Sequence, residues 1–143
     1  MIFIKDTVLK QIAEIINIFN TITNGDASST FSDGYCGYFT LILYNIFGDY
    51  KPKLYVQTKN EIHSIIKIEN EFYDVNGIFN SIDDYIEVNL SEFMYFIDVC
   101  NIYKERKNIK YMEKACDFII KKCKNNVKIN KKGLTLYKKT DII

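Results

Sequence analysis

From Tyr38 to Tyr44 the chain reads Tyr-Phe-Thr-Leu-Ile-Leu-Tyr, a run that is apolar nearly all the way round a helix. A helix with no polar face cannot lie on the surface of a small domain and must be covered on most sides. The spacing predicts this helix over about Tyr35 to Phe47, with Gly48 as its C-terminal stop. The rest of the 143 residues has to supply the cover. A chain of that length is one ordinary domain and can bury a core without metal or disulfide staples.

Several segments are suited to the task. Asp6 can cap a helix over about Thr7 to Ile22, where Val8, Leu9, Ile12, Ile15, Ile16 and Phe19 recur at helical spacing, and Asn24-Gly25-Asp26 ends it. Ala27 to Gly34 is small and polar and reads as a loop. Three strand-like runs follow the buried helix: Lys53 to Thr58, Glu61 to Ile68 and Glu71 to Val75. Glu69-Asn70 reads as a two-residue hairpin loop. That loop sets a register in which Ile65 stands opposite Asp74, so Asp74 shares the face of His63 one diagonal step away, and Asn76 stands opposite His63 itself. Ser91 can cap a further helix to about Glu105. Asn108 to Lys124 is amphipathic, with Ile109, Met112, Cys116, Ile119 and Cys123 on one side. Val127 to Ile129 and Leu134 to Tyr137, around Asn130-Lys131-Lys132-Gly133, read as a terminal hairpin. The expected class is α+β: a central buried helix on a small antiparallel sheet, with additional N- and C-terminal helices. There is one proline, Pro52, and no Gly/Ser-rich linker, so 1–143 reads as a single domain.

Composition narrows the chemistry. With 48% hydrophobic and 26% charged residues the chain reads as globular. Its apolar stretches are broken well short of membrane-spanning length, and Met1 to Asn20 has neither a basic leader nor a small-residue cleavage site. Cys36, Cys100, Cys116 and Cys123 follow no metal or disulfide spacing, and His63 is the sole histidine. Reduced thiols, a cytoplasmic location, and no metal, cofactor or membrane partner are therefore the expectations. Charge is uneven: residues 101–143 carry 13 Lys/Arg against 4 Asp/Glu, and the first hundred 6 against 14. Lys121, Lys122, Lys124, Lys128, Lys131 and Lys132 are accordingly candidates for contact with an acidic partner or nucleic acid. The heavy use of Ile, Asn, Lys and Tyr also fits an AT-rich genome, as in a phage or low-GC bacterium, and would raise the lysine content by itself.

The candidate chemistry gathers upstream. Cys36 falls in the first turn of the buried helix, with Ser32 or Asp33 as cap, where free N–H groups and the helix dipole favour a thiolate and an oxyanion. Gly34 and Gly37 allow close approach of a substrate backbone. His63 can serve as general base and then general acid, and a third group can fix its tautomer.

Gly-Tyr-Cys-Gly-Tyr before an apolar helix, then a strand bearing His, then a hairpin strand ending Tyr-Asp-Val-Asn-Gly, resembles the papain-like cysteine peptidase superfamily. In layout it is similar to the small transglutaminase-like and NlpC/P60-like branches. The resemblance covers Asp33 to Gly77 and implies a papain-like core over about 27–90, followed by a basic helical segment over 91–143. It implies a Cys-His-Asp triad: Cys36 as nucleophile, His63 as base, Asp74 as orienting acid, with Asn76 the rival for the third role. Gly34, Tyr35, Gly37, Tyr38 and Tyr73 would line the cleft. It also implies a side-chain oxyanion donor just before Cys36, where the sequence has Ser28, Ser29, Thr30 and Ser32 but no Gln. The implied activity is cofactor-free acyl transfer on a protein or peptide: hydrolysis, deamidation or transamidation. The rival expectation is a non-enzymatic interaction protein, such as a phage or mobile-element product that inhibits a host factor, making contact through its lysine-rich C-terminal segment.

Overall fold

The computed structural model describes residues 3–132, with side chains described through residue 124. The fold is α+β, with five helices and a five-stranded antiparallel sheet. Helix α1 (Ile4–Thr23) leads through α2 (Ala27–Ser32) into α3 (Cys36–Ile46), followed by a short 3-10 turn at Gly48–Tyr50. The strands are β1 (Lys53–Gln57), β2 (His63–Ile68), β3 (Glu71–Asp74), β4 (Gly77–Ile78) and β5 (Ile86–Val88), and helices α4 (Leu90–Cys100) and α5 (Arg106–Lys132) complete the described chain. Across the sheet the order is β4-β3-β2-β1-β5.

The apolar helix is central. On α3, Phe39, Ile42 and Leu43 are sealed from solvent. This helix packs on β2 and is also contacted by α5, α2, α4, β1 and β3. Around it, Val8, Ile12 and Ile15 of α1, Ile66 and Ile68 of β2, Phe93 and Ile97 of α4, and Met112, Cys116 and Ile119 of α5 form one core. Burying a side chain of this size contributes roughly 1.5–3 kcal/mol, so the long apolar run contributes several such increments to the stability of the fold.

The β2–β3 hairpin has the expected register: Ile68 faces Glu71, Lys67 faces Phe72 and Ile66 faces Tyr73. Glu69 turns the chain with a left-handed φ of 55°. Asp74 ends β3, and Asn76 lies in the turn to β4, where its backbone N–H donates to Asp74 Oδ1 at 2.8 Å.

Several local expectations are corrected. Ala27 to Ser32 is a short helix, because Asp26 accepts from the Ser29 N–H and caps it. Asp6 sits in the first turn of α1, and Phe3 holds the cap position. Neither Ser32 nor Asp33 caps α3; Tyr35 holds that position without a side-chain bond. Helix α3 ends at Ile46 with Phe47 as its C-cap, and Gly48 opens the 3-10 turn. Helix α4 is capped by Asn89, which forms a reciprocal capping box with Glu92, instead of by Ser91. Val127 to Ile129, expected as a strand, continues helix α5, and Leu134 to Tyr137 lies outside the described residues.

Candidate active site

Three adjacent elements converge at one end of the sheet. Cys36 is the first residue of α3, His63 the first of β2, and Asp74 the last of β3. They are 3%, 7% and 8% exposed. His63 Nε2 lies 3.1 Å from Asp74 Oδ2. An ionised carboxylate only accepts, so Nε2 carries a proton in this contact, leaving Nδ1 as the nitrogen that can exchange a proton with the thiol.

The thiol and the ring influence each other directly. Burial, the largest influence on His63, disfavours its charge. Hydrogen bonds to Asp74 and Cys36 and the charges of both outweigh burial and raise the imidazole to about 9. Burial likewise pushes the Cys36 thiol up, but the hydrogen bond and positive charge of His63, with the Ser64 hydroxyl and backbone N–H, bring it below its ordinary value. Each group thus favours the charged form of the other, the thiolate beside the imidazolium. The other cysteines move the opposite way: burial and nearby acids raise Cys116 to about 12 and Cys123 to about 11, and burial also raises Cys100. All four are free thiols.

A polar seam anchors the thiol from below. Thr40 Oγ1 donates to the Cys36 carbonyl at 3.2 Å and lies 2.8 Å from Ser64 Oγ, both contacts buried. Above the imidazole, Phe79 and Tyr85 place their ring centroids 5.7 and 6.3 Å from that of His63. The segment carrying those aromatics is tied to the β1–β2 loop by Asn60 Nδ2 donating to Asp84 Oδ2 at 2.9 Å.

The structure brings together Cys36, His63 and Asp74 and sets the other candidates apart. Asn76 is exposed and contacts Asp74 through its backbone. Gly37 accommodates a helix: a Cβ there would stand 2.8 Å from Ile97 Cγ1 of α4. Tyr38 is buried and its hydroxyl accepts from Asn101 Nδ2 at 2.9 Å, pinning the end of α4. Tyr73 is fully enclosed in the core, and burial, with Glu71, Glu69 and Asp6 beyond it, pushes its phenol up to about 12. Those acids place it away from the thiol. Gly34 adopts φ 93°, a conformation that favours glycine. Its carbonyl accepts from Lys104 Nζ at 2.7 Å, and that ammonium stands 4.6 Å from the centroid of the Tyr35 ring. Ser28, Ser29 and Ser32 are exposed on α2.

Sequence reasoning missed Ser64, Thr40, Phe79, Tyr85, Gln57 and Lys104. Ser64 had a usable signal, since it neighbours the only histidine. Thr40 had one too, since it lies one helical turn after Cys36; Phe79, Tyr85, Gln57 and Lys104 come from segments distant in sequence. Lys121 and Lys122 are exposed on α5 and Lys124 is half-buried, while the side chains of Lys128, Lys131 and Lys132 lie outside the described residues. Among the described residues there is no cluster of three or more His, Cys, Asp or Glu able to hold a metal ion. No helix among them is long and apolar enough to cross a membrane.

No curated protein and no solved structure shows significant similarity to this sequence. One protein family, the Phage YunG-like proteins, matches residues 11–128, a span that holds Cys36, His63, Asp74 and all five strands. That match covers well over half of the sequence, and the chain belongs to the Phage YunG-like family.

Proposed function

We propose that the protein is a thiol-dependent acyl-transfer enzyme of papain-like type, with Cys36 as nucleophile, His63 as general base and acid, and Asp74 as the group that orients His63. One observation carries this reading: a buried imidazole that is hydrogen-bonded to a carboxylate on one side and coupled to a helix-first thiol on the other. The thiolate attacks a carbonyl of a protein or peptide substrate to give a thioester. His63 protonates the leaving amine and then activates water or an amine to release the acyl group. The site can run hydrolysis, deamidation or transamidation with the same groups.

Limited alkylation tests this reading. The native protein is treated with limiting iodoacetamide near neutral pH and the adducts are mapped by mass. Cys36 should be labelled first, and His63→Ala should slow it. Labelling of Cys36 no faster than that of Cys100 would sink the reading.

A second reading, a phage interaction protein without catalysis, is favoured by exposed apolar side chains on and just after α4: Tyr95 at 70%, Ile102 at 64% and Tyr103 at 99% exposure. It is also compatible with the family. Partner capture that survives Cys36→Ser but fails on neutralising Lys121, Lys122 and Lys124, or on making Tyr95 and Ile102 charged, would support it over the enzyme.

A further inference from the structure

The sheet carries a polar row that the chemistry above does not use. Gln57 stands directly opposite His63 in the β1–β2 pairing. On its other side β1 pairs with β5, with Val56 facing Ile86, so the next step along the register sets Gln57 beside Tyr85. Tyr85, Gln57 and His63 thus form one cross-strand row on the face that holds Asp74.

Two features make this row reactive. Gln57 is 6% exposed and its Oε1 accepts the Asn60 N–H at 3.1 Å, which turns the amide NH₂ end away from that loop. That end faces the Tyr85 hydroxyl as a donor. The hydroxyl itself is buried, and no hydrogen bond of ordinary geometry satisfies it. A buried hydroxyl left short of its hydrogen-bonding capacity calls for an explanation. The Tyr85 ring is held edge-on against Phe79, 5.4 Å between centroids, and against His63, so the hydroxyl cannot swing freely to solvent. Burial, with the charges of Glu61, Asp74 and Cys36, pushes it up to about 12 despite the Gln57 contact. It therefore keeps its proton well above the ordinary tyrosine range, and it lies within the field of the Cys36 sulfur.

We infer that the Tyr85 hydroxyl is the oxyanion donor of this site, working with the Cys36 backbone N–H, and that Gln57 is its positioning residue. The inference rests on the acyl-transfer reading. Cys36 Sγ bonds to the substrate carbonyl carbon, and the carbonyl π pair moves onto oxygen. Tyr85 O–H hydrogen-bonds to that oxygen without transferring its proton. The Gln57 NH₂ occupies the lone-pair side of the Tyr85 oxygen, so the hydroxyl proton is directed at the substrate. Collapse re-forms C=O and breaks the bond to the leaving group, which takes its proton from His63. The donor sought just before Cys36 would then come from the far edge of the sheet, after β4.

Two small reagents separate the roles. Iodoacetamide alkylates a thiolate with no oxyanion, whereas p-nitrophenyl acetate acylates it through one and releases p-nitrophenolate. Both rates are measured at Cys36, at one pH, on the full chain. Tyr85→Phe, which keeps the ring packing, should lower acylation at least about tenfold, since loss of one oxyanion donor commonly costs more than that, and leave alkylation within about twofold. Gln57→Met should give the same selective loss in smaller size. A merely structural role for Tyr85 would lower both rates together. An equal fall in both, or unchanged acylation in Tyr85→Phe, overturns the inference while the nucleophile reading stands. A wild-type Cys36 no more reactive to iodoacetamide than Cys100 overturns both.

Discussion

His63 Nε2 and Asp74 Oδ2 stand 3.1 Å apart across the end of the β2–β3 hairpin, one diagonal step from direct opposition. The contact is set by a two-residue turn six positions from His63, and through it the carboxylate reaches the thiol.

The pH dependence follows from the two titrations. Cys36 is lowered and His63 is raised to about 9, so the thiolate–imidazolium state spans the interval between them. As pH falls through the lowered thiol value, the thiolate is protonated and reactivity declines. As pH rises through about 9, the imidazolium is lost and with it the general acid. The expected profile for acyl transfer at Cys36 is bell-shaped, its two limbs belonging to the coupled thiol and imidazole together. Thiolate absorbance in the ultraviolet should persist below the ordinary thiol range in the wild type and vanish from that range in Cys36→Ser.

Asp74→Asn keeps the shape of the side chain and removes its charge. His63 then loses the carboxylate charge that favours its protonated form, so its pKa falls and the Cys36 thiol rises in turn. Alkylation of Cys36 at pH 6 should drop about tenfold, one pKa unit in the coupled thiol being a factor of ten in thiolate. At more alkaline pH, once the thiol is ionised in both, wild type and variant should converge. A uniform drop at both pH values would point to misfolding instead.

Ser64→Ala removes a hydroxyl that lies 2.8 Å from Thr40 Oγ1 and faces the thiol. The expected loss of stability is about 1 kcal/mol, read by denaturant unfolding, since Thr40 keeps its bond to the Cys36 carbonyl. The acid limb of Cys36 alkylation should move to higher pH in the same variant. Stability loss without that movement would remove Ser64 from the account of the thiol.

Gly37→Ala tests the contact between α3 and α4. The new methyl would lie 2.8 Å from Ile97 Cγ1, and relieving it requires α4 or the Ile97 side chain to shift, at a cost of about 1–3 kcal/mol. Combining it with Ile97→Ala, which removes both Cγ1 and Cδ1, should cost less than the sum of the two single losses, a non-additivity visible in a double-mutant cycle. Had Gly37 faced open space, the two losses would simply add.

Much of this site was legible because it is local. Strict alternation in β2 and a two-residue loop at Glu69-Asn70 set the register, and register decides which carboxylate shares the His63 face. Asn76 falls in a turn instead of opposite His63 because β3 stops at Asp74, a boundary that alternation does not mark. The contacts of Gly37 and Tyr38 were hidden for another reason. Their neighbours, Ile97 and Asn101, lie about sixty positions away, and a glycine chosen for helix approach reads the same as one chosen for a ligand. Tyr85 and Gln57 were invisible because β5 joins β1 only after an irregular stretch, so no local pattern brings the two together. The C-terminal error was one of propensity: β-branched Val127 and Ile129 beside Asn130 favour a strand and turn, yet they continue a long amphipathic helix.

The burial of Cys36, His63 and Asp74 also has a kinetic meaning. With Cys36 only 3% exposed, capture by a reagent is expected to need a local opening, and the two loops near Tyr85 are held together by the Asn60–Asp84 bond and the Lys59–Asp84 ion pair. Covalent capture of Cys36 should then approach a first-order ceiling as reagent concentration rises, set by the opening frequency and not by the reagent's own reactivity. Asn60→Ala should raise that ceiling. Turnover in this small protein would be timed by the breathing of one loop, however fast the thiolate reacts once it is reached.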